Sequence, residues 1–363
     1  MQVKCNVLDR QYKMFQEEYD DAALRVLRSG WYILGNEVKK FEEEFKDHMG
    51  SKHCVGLNSG LDALILAVRA LGISKGDEVI VQTNTYIATV LGITENDATP
   101  VYVEPDKYFN IDADKIEEKI TNKTKAIMVV HLYGQASRMD KIMEIANRHH
   151  LPVIEDCAQS HESCFKGKKT GTFGVIGCFS FYPTKNMGAF GDAGCILTDD
   201  AVLADRIRMM RNYGSKVKYY NEIEGVNSRL DEMQAALLRV KLTHMDEITN
   251  ERYVLGKRYY DGINNPKILK PETLDGVNHV YHQFVIRCDQ RDELHDYLEK
   301  NGVQTQIHYP IPPHLADCYA WQGYKAGDFP ITEKYANMVL SLPLYTGMTK
   351  EEQDYVIEIL NKF

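Results

Sequence analysis

From about residue 54 onward, apolar residues arrive in short blocks separated by polar, glycine-containing segments. The blocks are Val79-Ile80-Val81, Pro100-Val101-Tyr102-Val103, Ala126-Ile127-Met128-Val129-Val130, Val153-Ile154, Cys178-Phe179-Ser180-Phe181 and Cys195-Ile196-Leu197. They are rich in β-branched and aromatic residues, and several lack polar alternation, which suits strands covered on both faces. Between them the spacing turns helical, with Leu61, Leu64, Ile65 and Val68 in one segment and Ile142, Ile145 and Ala146 in another. This alternation predicts an α/β protein with a mostly parallel sheet and helices on its faces. Upstream, Val38, Phe41 and Phe45 share a helical face within the segment from Trp31 to Phe45, whose Glu/Lys run is expected to be solvated.

A different rhythm follows. A long helical region is expected from Asp231, with Leu230, Met233, Leu237 and Val240 on one stripe, leading to the linker-like Ile263-Asn264-Asn265-Pro266. A strand (Gln283 to Arg287), a helix (Asp292 to Lys300, stopped by Asn301-Gly302) and a strand (Val303 to His308) then predict a smaller α+β unit. Thr349 with Glu352 has the spacing of a capping box opening the last helix. A boundary between residues 245 and 265 divides the chain into a large domain, residues 1–250 with an N-terminal arm, and a small C-terminal domain, residues 251–363. A length of 363 residues suits two domains of ordinary size.

With 44% hydrophobic and 26% charged residues, the chain has a globular composition. Its net charge of -9 disfavours nucleic acid as a partner, since phosphate backbones recruit basic surfaces. A local cluster of cations and N–H groups would still hold a small anion. The 8 cysteines form no CxxC pair, which argues against a zinc site and for free thiols in a reducing compartment. The segment Met1 to Asn6 lacks a signal-peptide pattern, and the most apolar run, Leu64 to Leu71, is interrupted by Arg69. A cytoplasmic protein with no membrane partner and no bound metal is expected.

Open α/β sheets bind ligands beyond the carboxyl ends of their strands. Asn58-Ser59-Gly60 feeds an amphipathic helix there, as an anion site at the helix N-terminus or as a plain N-cap by Ser59. Glu155 and Asp156 close an apolar strand. A carboxylate in such a place needs a cation or hydrogen-bond donors. A protonated pyridine nitrogen would serve; so would the N–H groups of the next turn. Lys185 sits between Pro183 and Gly188, on a loop joining two apolar strands. Most lysines face solvent, but one in an apolar loop loses its proton readily, and a neutral amine is what Schiff-base chemistry requires. Ser180, on the preceding strand, is a candidate phosphate ligand. In that chain order, the pieces resemble the pyridoxal-phosphate (PLP) enzymes of the aspartate-aminotransferase fold.

Five segments carry a closer resemblance: Ser29-Gly30-Trp31-Tyr32 with Gly35 through Phe41, Asn58-Ser59-Gly60, Glu155 through Gln159, Phe179 through Gly194, and Asn227 through Ala236. Through them nearly the whole chain resembles the DegT/DnrJ/EryC/StrS family of sugar aminotransferases. The resemblance implies fold type I, a large PLP-binding domain followed by a small C-terminal one. It implies Lys185 as the Schiff-base and proton-transfer lysine and Asp156 as the partner of the pyridine nitrogen. It implies the Ser59 and Gly60 backbone with Ser180 as the phosphate cup, Tyr86 stacked on the ring, and Gln159 at the 3-hydroxyl. Asn227 resembles a residue reaching the phosphate of a neighbouring subunit, hence a homodimer with shared sites.

Tyr182 through Ala189 resembles members that aminate the third carbon of a dTDP-linked 3-keto-6-deoxyhexose. Members acting on the fourth carbon more often carry a threonine-rich run after the lysine; His131 through Gln135 fits both. Lys185 argues against the dehydratase branch, which has histidine there. Ser160-His161-Glu162-Ser163 departs from the Ala-His-Gly-Ala of many members and leaves the role of His161 open. The implied reaction takes nitrogen from an amino acid, glutamate by likeness, through pyridoxamine phosphate to the keto sugar. Candidate substrate contacts are Lys218, Tyr219 and Arg229 before the long helix, His308 and Tyr309 in the small domain, and Tyr32. The alternatives are a fourth-carbon or cyclitol aminotransferase, and a non-catalytic regulatory protein keeping the fold.

Overall fold

The computed structural model describes residues 1–363. Three helices come first: α1 (Leu8–Met14), α2 (Gln16–Ser29) and α3 (Asn36–Met49). The chain then alternates through β1 (His53–Leu57), α4 (Gly60–Ala70), β2 (Glu78–Gln82), α5 (Ile87–Thr94), β3 (Thr99–Val103), β4 (Thr124–Val130), α6 (Met139–Arg148) and β5 (Val153–Asp156). A small hairpin of β6 (Cys164–Phe165) and β7 (Lys168–Lys169) leads to β8 (Ile176–Ser180), β9 (Gly194–Thr198) and α7 (Ala201–Met210). A second hairpin, β10 (Ser215–Val217) with β11 (Tyr220–Asn221), precedes α8 (Glu232–Thr243) and α9 (Met245–Gly262). The remainder holds β12 (Val277–Asn278), β13 (Phe284–Arg287), α10 (Arg291–Lys300), α11 (Pro330–Met338), β14 (Val339–Leu342) and α12 (Lys350–Lys362).

Seven strands form the main sheet in the order β1-β9-β8-β5-β4-β2-β3. The pairs from β8 to β3 are parallel, and β9 runs antiparallel to both β8 and β1. The apolar blocks lack polar alternation because both faces of the sheet are covered. Val79, Val81 and Met128 pack with Leu64, Ala67 and Val68 of α4. Ile80, Ile127 and Val129 point the other way, into Ile142, Ile145 and Ala146 of α6. Successive strand residues thus feed two cores. A third core joins Phe41 and Phe45 of α3 to Phe179, Phe181 and Leu238.

Three expectations need correction. The Glu/Lys run of α3 is partly buried: Glu37 pairs with Arg25 and Arg239, and Glu42 pairs with Arg211 and accepts from the Gly56 N–H. Basic side chains of neighbouring elements meet these acids, which a helical wheel of α3 alone does not reveal. The long helix from Asp231 is two helices that break at His244 (φ -108°, ψ 8°). Val303 to His308 is not a regular strand. It makes single bridges, Val303 with Val3 and Gln306 with Ser341, while β13 takes β14 as its strand partner.

The packing changes partner within α9. Its first turns (Met245, Ile248) join the phenylalanine core of α3. Its last turns (Leu255, Tyr259) join Phe284, Leu294, Leu298, Leu340 and Val356 of the C-terminal part, a cluster that also holds Val3. The last helix opens with the capping box of Thr349 and Glu352. All eight cysteines are free, and no helix is long and apolar enough to cross a membrane.

Phe45 is fully buried, with the rings of Phe41, Phe179 and Phe181 5.4–5.5 Å away. Phe45→Ala is expected to cost about 3–5 kcal/mol through the cavity it leaves, measured as a lowered urea midpoint.

Candidate active site

A cleft of about 600 Å³ opens beyond the carboxyl ends of β1, β2, β4, β5 and β8. It brings together Ser59, Gly60, Tyr86, Asp156, Gln159, Ser180 and Lys185, with His308 and Tyr309 from the C-terminal part.

The N-terminus of α4 forms one end. Ser59 caps the helix by accepting from the Asp62 N–H at 3.1 Å. The N–H groups of Gly60 and Leu61 bond no group of the protein, and with the helix dipole they favour an anion. Gly60 is required for close approach: a Cβ there would lie 2.5 Å from Cβ of Ser180. Ser228 steadies this end, donating to Asp62 at 2.7 Å and accepting from the Asn58 N–H at 3.2 Å.

Glu155 and Asp156 project to opposite faces of β5. Glu155 accepts from His131 Nε2 (2.9 Å) and from the N–H groups of Gly171 (2.8 Å), Phe173 (2.7 Å) and Gly174 (2.7 Å). His131 Nδ1 accepts from the Ser137 N–H at 3.1 Å, so the ring hydrogen sits on Nε2. Cys157 lies close to this pair in a cluster of metal-ligand types, but the lone pairs of His131 and Glu155 face N–H donors, the pattern of a hydrogen-bond network.

Asp156 is less well served. Thr85 donates to Thr89 (2.7 Å), Thr89 donates to Asp156 (2.8 Å), and the Ala158 N–H adds a 3.1 Å bond. Burial raises the pKa of this carboxyl above the ordinary aspartate value, against the opposing pull of these donors and of Lys185. A further cation beside Asp156 would reverse that.

Lys185 is half-buried on a loop tied down by Lys185 N to Tyr182 O (2.8 Å) and Ala189 N to Phe181 O (2.7 Å). Burial pulls its ammonium down to about 8, opposed by Asp156. Gln159 is oriented by two bonds: its Oε1 accepts from the Tyr133 N–H (2.7 Å), and its Nε2 donates to the Tyr309 hydroxyl (3.0 Å). The Tyr86 ring stands 5.2 Å from that of Tyr309.

Five residues singled out from the sequence do not line this cleft. Tyr32 is exposed, its hydroxyl on the Leu27 carbonyl. Lys218 and Tyr219 sit at the tip of the β10–β11 hairpin, where Tyr219 has φ 74° and is 83% exposed. Asn227 is exposed, and Arg229 lies over the Tyr213 ring. His161 is also outside, buried against Phe179 and Phe181 with neither ring nitrogen bonded. Its neighbour Glu162 takes the left-handed conformation that glycine favours (φ 67°) and bonds His48 at 2.6 Å and Lys169 at 2.9 Å. Conversely, Thr85, Thr89, Asp192, His282 and Gln283 line the cleft without having been singled out. Thr89 lies three positions beyond Tyr86, and that closeness was its only mark in the sequence.

The model of the DegT/DnrJ/EryC1/StrS aminotransferase family matches residues 13–361. The chain belongs to that family. It is 51% identical to a dTDP-3-amino-3,6-dideoxy-alpha-D-galactopyranose transaminase of Aneurinibacillus thermoaerophilus, over 98% of each chain. Among solved structures it resembles Streptomyces venezuelae DesV in complex with a ketimine intermediate (TM-score 0.97, 44% identity, 99% of this chain and 98% of that one). It also resembles NtdA of Bacillus subtilis with bound cofactor PMP (TM-score 0.92, 35% identity, 99% of this chain and 84% of that one). The fold is that of the aminotransferases, and the chain is an enzyme of that class.

Thr89→Val removes a donor from Asp156. The variant is expected to lose about 1–3 kcal/mol at neutral pH. A carboxyl whose folded pKa lies above its unfolded value is destabilising above the unfolded value, and that cost vanishes when the group is protonated in both states. The loss should therefore be smaller near pH 4 than at pH 7, as read from urea midpoints at the two pH values.

Proposed function

We propose that the cleft binds PLP, and that the enzyme moves an amino group from an amino acid, L-glutamate by family likeness, to the third carbon of a dTDP-linked 3-keto-6-deoxyhexose. The observation that carries this reading is the joint placement, around one cleft, of a depressed lysine, an under-served buried carboxylate and the free N–H groups of a helix terminus.

The residues fit the cofactor by their own chemistry. The Gly60 and Leu61 N–H groups and the Ser180 hydroxyl make a phosphate cup, packed so closely that a Cβ on residue 60 would close it. Asp156 lacks a cation, and a protonated pyridine nitrogen is one. Burial brings the Lys185 ammonium down to about 8, so a usable fraction is the neutral, nucleophilic amine at physiological pH. Bound there, PLP supplies an electron sink and, as pyridoxamine phosphate, carries nitrogen between donor and acceptor. Lys185 Nζ takes and returns the proton that moves between carbon atoms. Gln159 Nε2 keeps one hydrogen for the 3-hydroxyl, and Tyr86 supplies an aromatic wall.

The relative from Aneurinibacillus supports the third carbon, and its name supports the dTDP sugar. Charge supports a second copy of the chain. A diphosphate and an amino-acid carboxylate need cations, yet the cleft is lined by Asp156 and Asp192, by no arginine, and by one lysine, Lys185. Lys218, Arg229 and Asn227 lie outside it and partly exposed. In a homodimer with shared sites they, with Tyr32 and Tyr219, serve the neighbouring cleft, while His308 and Tyr309 serve their own. The free thiols suit a reducing compartment such as the cytoplasm.

The test is product analysis. The purified enzyme with PLP, L-glutamate and a dTDP-linked 3-keto-6-deoxyhexose is expected to yield a sugar aminated at the third carbon, identified by NMR and mass. Amination at the fourth carbon would overturn the position assigned. Lys185→Ala is expected to lose the Schiff-base absorbance and essentially all turnover. In the wild type, the rate of Schiff-base formation with cofactor-free protein should rise about tenfold per pH unit below pH 8, where the amine is half neutral, and level off above it.

A further inference from the structure

Lys241 is buried in α8, 3% exposed, and no acid pairs with it. Its Nζ donates to Gln11 Oε1 of α1 at 2.7 Å and to the Gly188 carbonyl at 3.2 Å. Burial, and then the charge of Arg252 on α9, pulls its ammonium down to about 7. Charged or neutral, the amine has hydrogens to donate, so both bonds persist through that range. A buried cation without an acid is costly, and an apolar side chain of similar length would spare that cost.

What Lys241 holds is the loop of Lys185. Met187 and Ala189 are buried in the phenylalanine core with Leu238 and Leu242 of α8. The Gly188 carbonyl between them meets no backbone N–H, and Lys241 is its donor. A second tie runs from the same helix: Gln234, about two turns earlier on the same face, accepts from the Phe190 N–H at 2.9 Å. The other acceptor of Lys241 is itself fixed, since Arg10, next to Gln11, pairs with Glu352 and bonds the Gly347 carbonyl. The loop is tight enough to pass the restraint on. A Cβ on residue 188 would lie 2.2 Å from the Pro183 carbonyl oxygen, and Lys185 N bonds Tyr182 O at 2.8 Å. A shift of Gly188 is therefore a shift of the turn that carries Lys185.

We infer that Lys241 is a positioning residue for Lys185: its hydrogen bond to the Gly188 carbonyl fixes the turn that presents the Lys185 amine to the cleft. This rests on Lys185 being the cofactor lysine. Lys241 acts through the loop and not through charge, since burial and Asp156 are what set the Lys185 ammonium.

The test follows the rate of Schiff-base formation against pH, by absorbance, in the full-length chain stripped of cofactor and mixed with PLP. Lys241→Met removes the donor and keeps most of the side-chain length. Its rate is expected to fall about tenfold, as for one lost hydrogen bond, while the pH at which the rate levels off stays that of the wild type. Ile142→Ala, on α6 in a different core, controls for general loosening; it is expected to lower the urea midpoint and keep the wild-type rate. A wild-type rate in Lys241→Met, a moved level-off, or a fall no larger than that of Ile142→Ala overturns the inference. Should Lys241→Met fail to fold, as judged by circular dichroism, the double variant with Gln11→Leu, which leaves one orphaned acceptor fewer, decides by the same comparisons. Failure of both to fold marks Lys241 as a structural residue and overturns the inference too. A wild type that forms no Schiff base removes the cofactor reading of Lys185 itself, and this inference with it.

Discussion

The cleft is organised by a shortage of compensation. Asp156 is buried and Lys185 half-buried, and burial acts on them in opposite directions, raising the acid and lowering the base. Each shift is toward neutrality, and each leaves the group ready for a charged or covalent partner. The protein offers Asp156 two hydrogen bonds and no arginine, and offers Lys185 no salt bridge. In a structural role such groups would be paired, as Arg211 is with Glu42. Here the sheet, α4 and the lysine loop hold them at one opening without satisfying them.

The contrast with Glu155 sharpens the point. The two acids are adjacent on β5, so strand geometry sends them to opposite faces. Glu155 faces four N–H donors and is satisfied. Its bonds tie β5 to the turn before β8, and the β4–β5 ladder carries His131 N to Asp156 O at 3.1 Å. Sequence shows only a Glu-Asp pair. Which acid is scaffold and which is chemistry depends on loops, residues 171–174 and 137, that lie far along the chain. The same loops argue against reading His131, Glu155 and Cys157 as a metal centre.

Much else was legible, for a definable reason. Every apolar block noted in the sequence falls on a strand, because burial on both faces leaves a continuous apolar run with no competing period. β1 escaped notice because His53 and Gly56 dilute its run. Ser59 as a helix cap, Ser180 on β8 and Lys185 on its loop were visible because glycine, proline and a strand end mark such positions. Thr85, Thr89 and His282 were not, since threonines just before and within a first helical turn, or a histidine before a strand, have many ordinary explanations. The buried face of α3 was misjudged because Arg25 of α2, Arg211 just beyond α7 and Arg239 of α8 complete it. Contacts between distant elements leave no periodicity to read.

The charge of the cleft carries the argument to its edge. Two aspartates and one lysine of lowered basicity give a cleft whose charged side chains do little to attract anions. A phosphate at the N-terminus of α4 would meet backbone N–H groups and a helix dipole, which are unaffected by the protonation of Lys185. A sugar diphosphate asks for fully charged donors, and the candidates Lys218 and Arg229 lie outside the cleft, Lys218 next to Tyr219, which takes a left-handed conformation at a hairpin tip. Such strain at an exposed aromatic persists where surroundings hold it in place. A second subunit laid against β10–β11 would supply both the surroundings and, in return, the missing cations. On that view the exposed hairpin and the electrostatically incomplete cleft are two halves of one site.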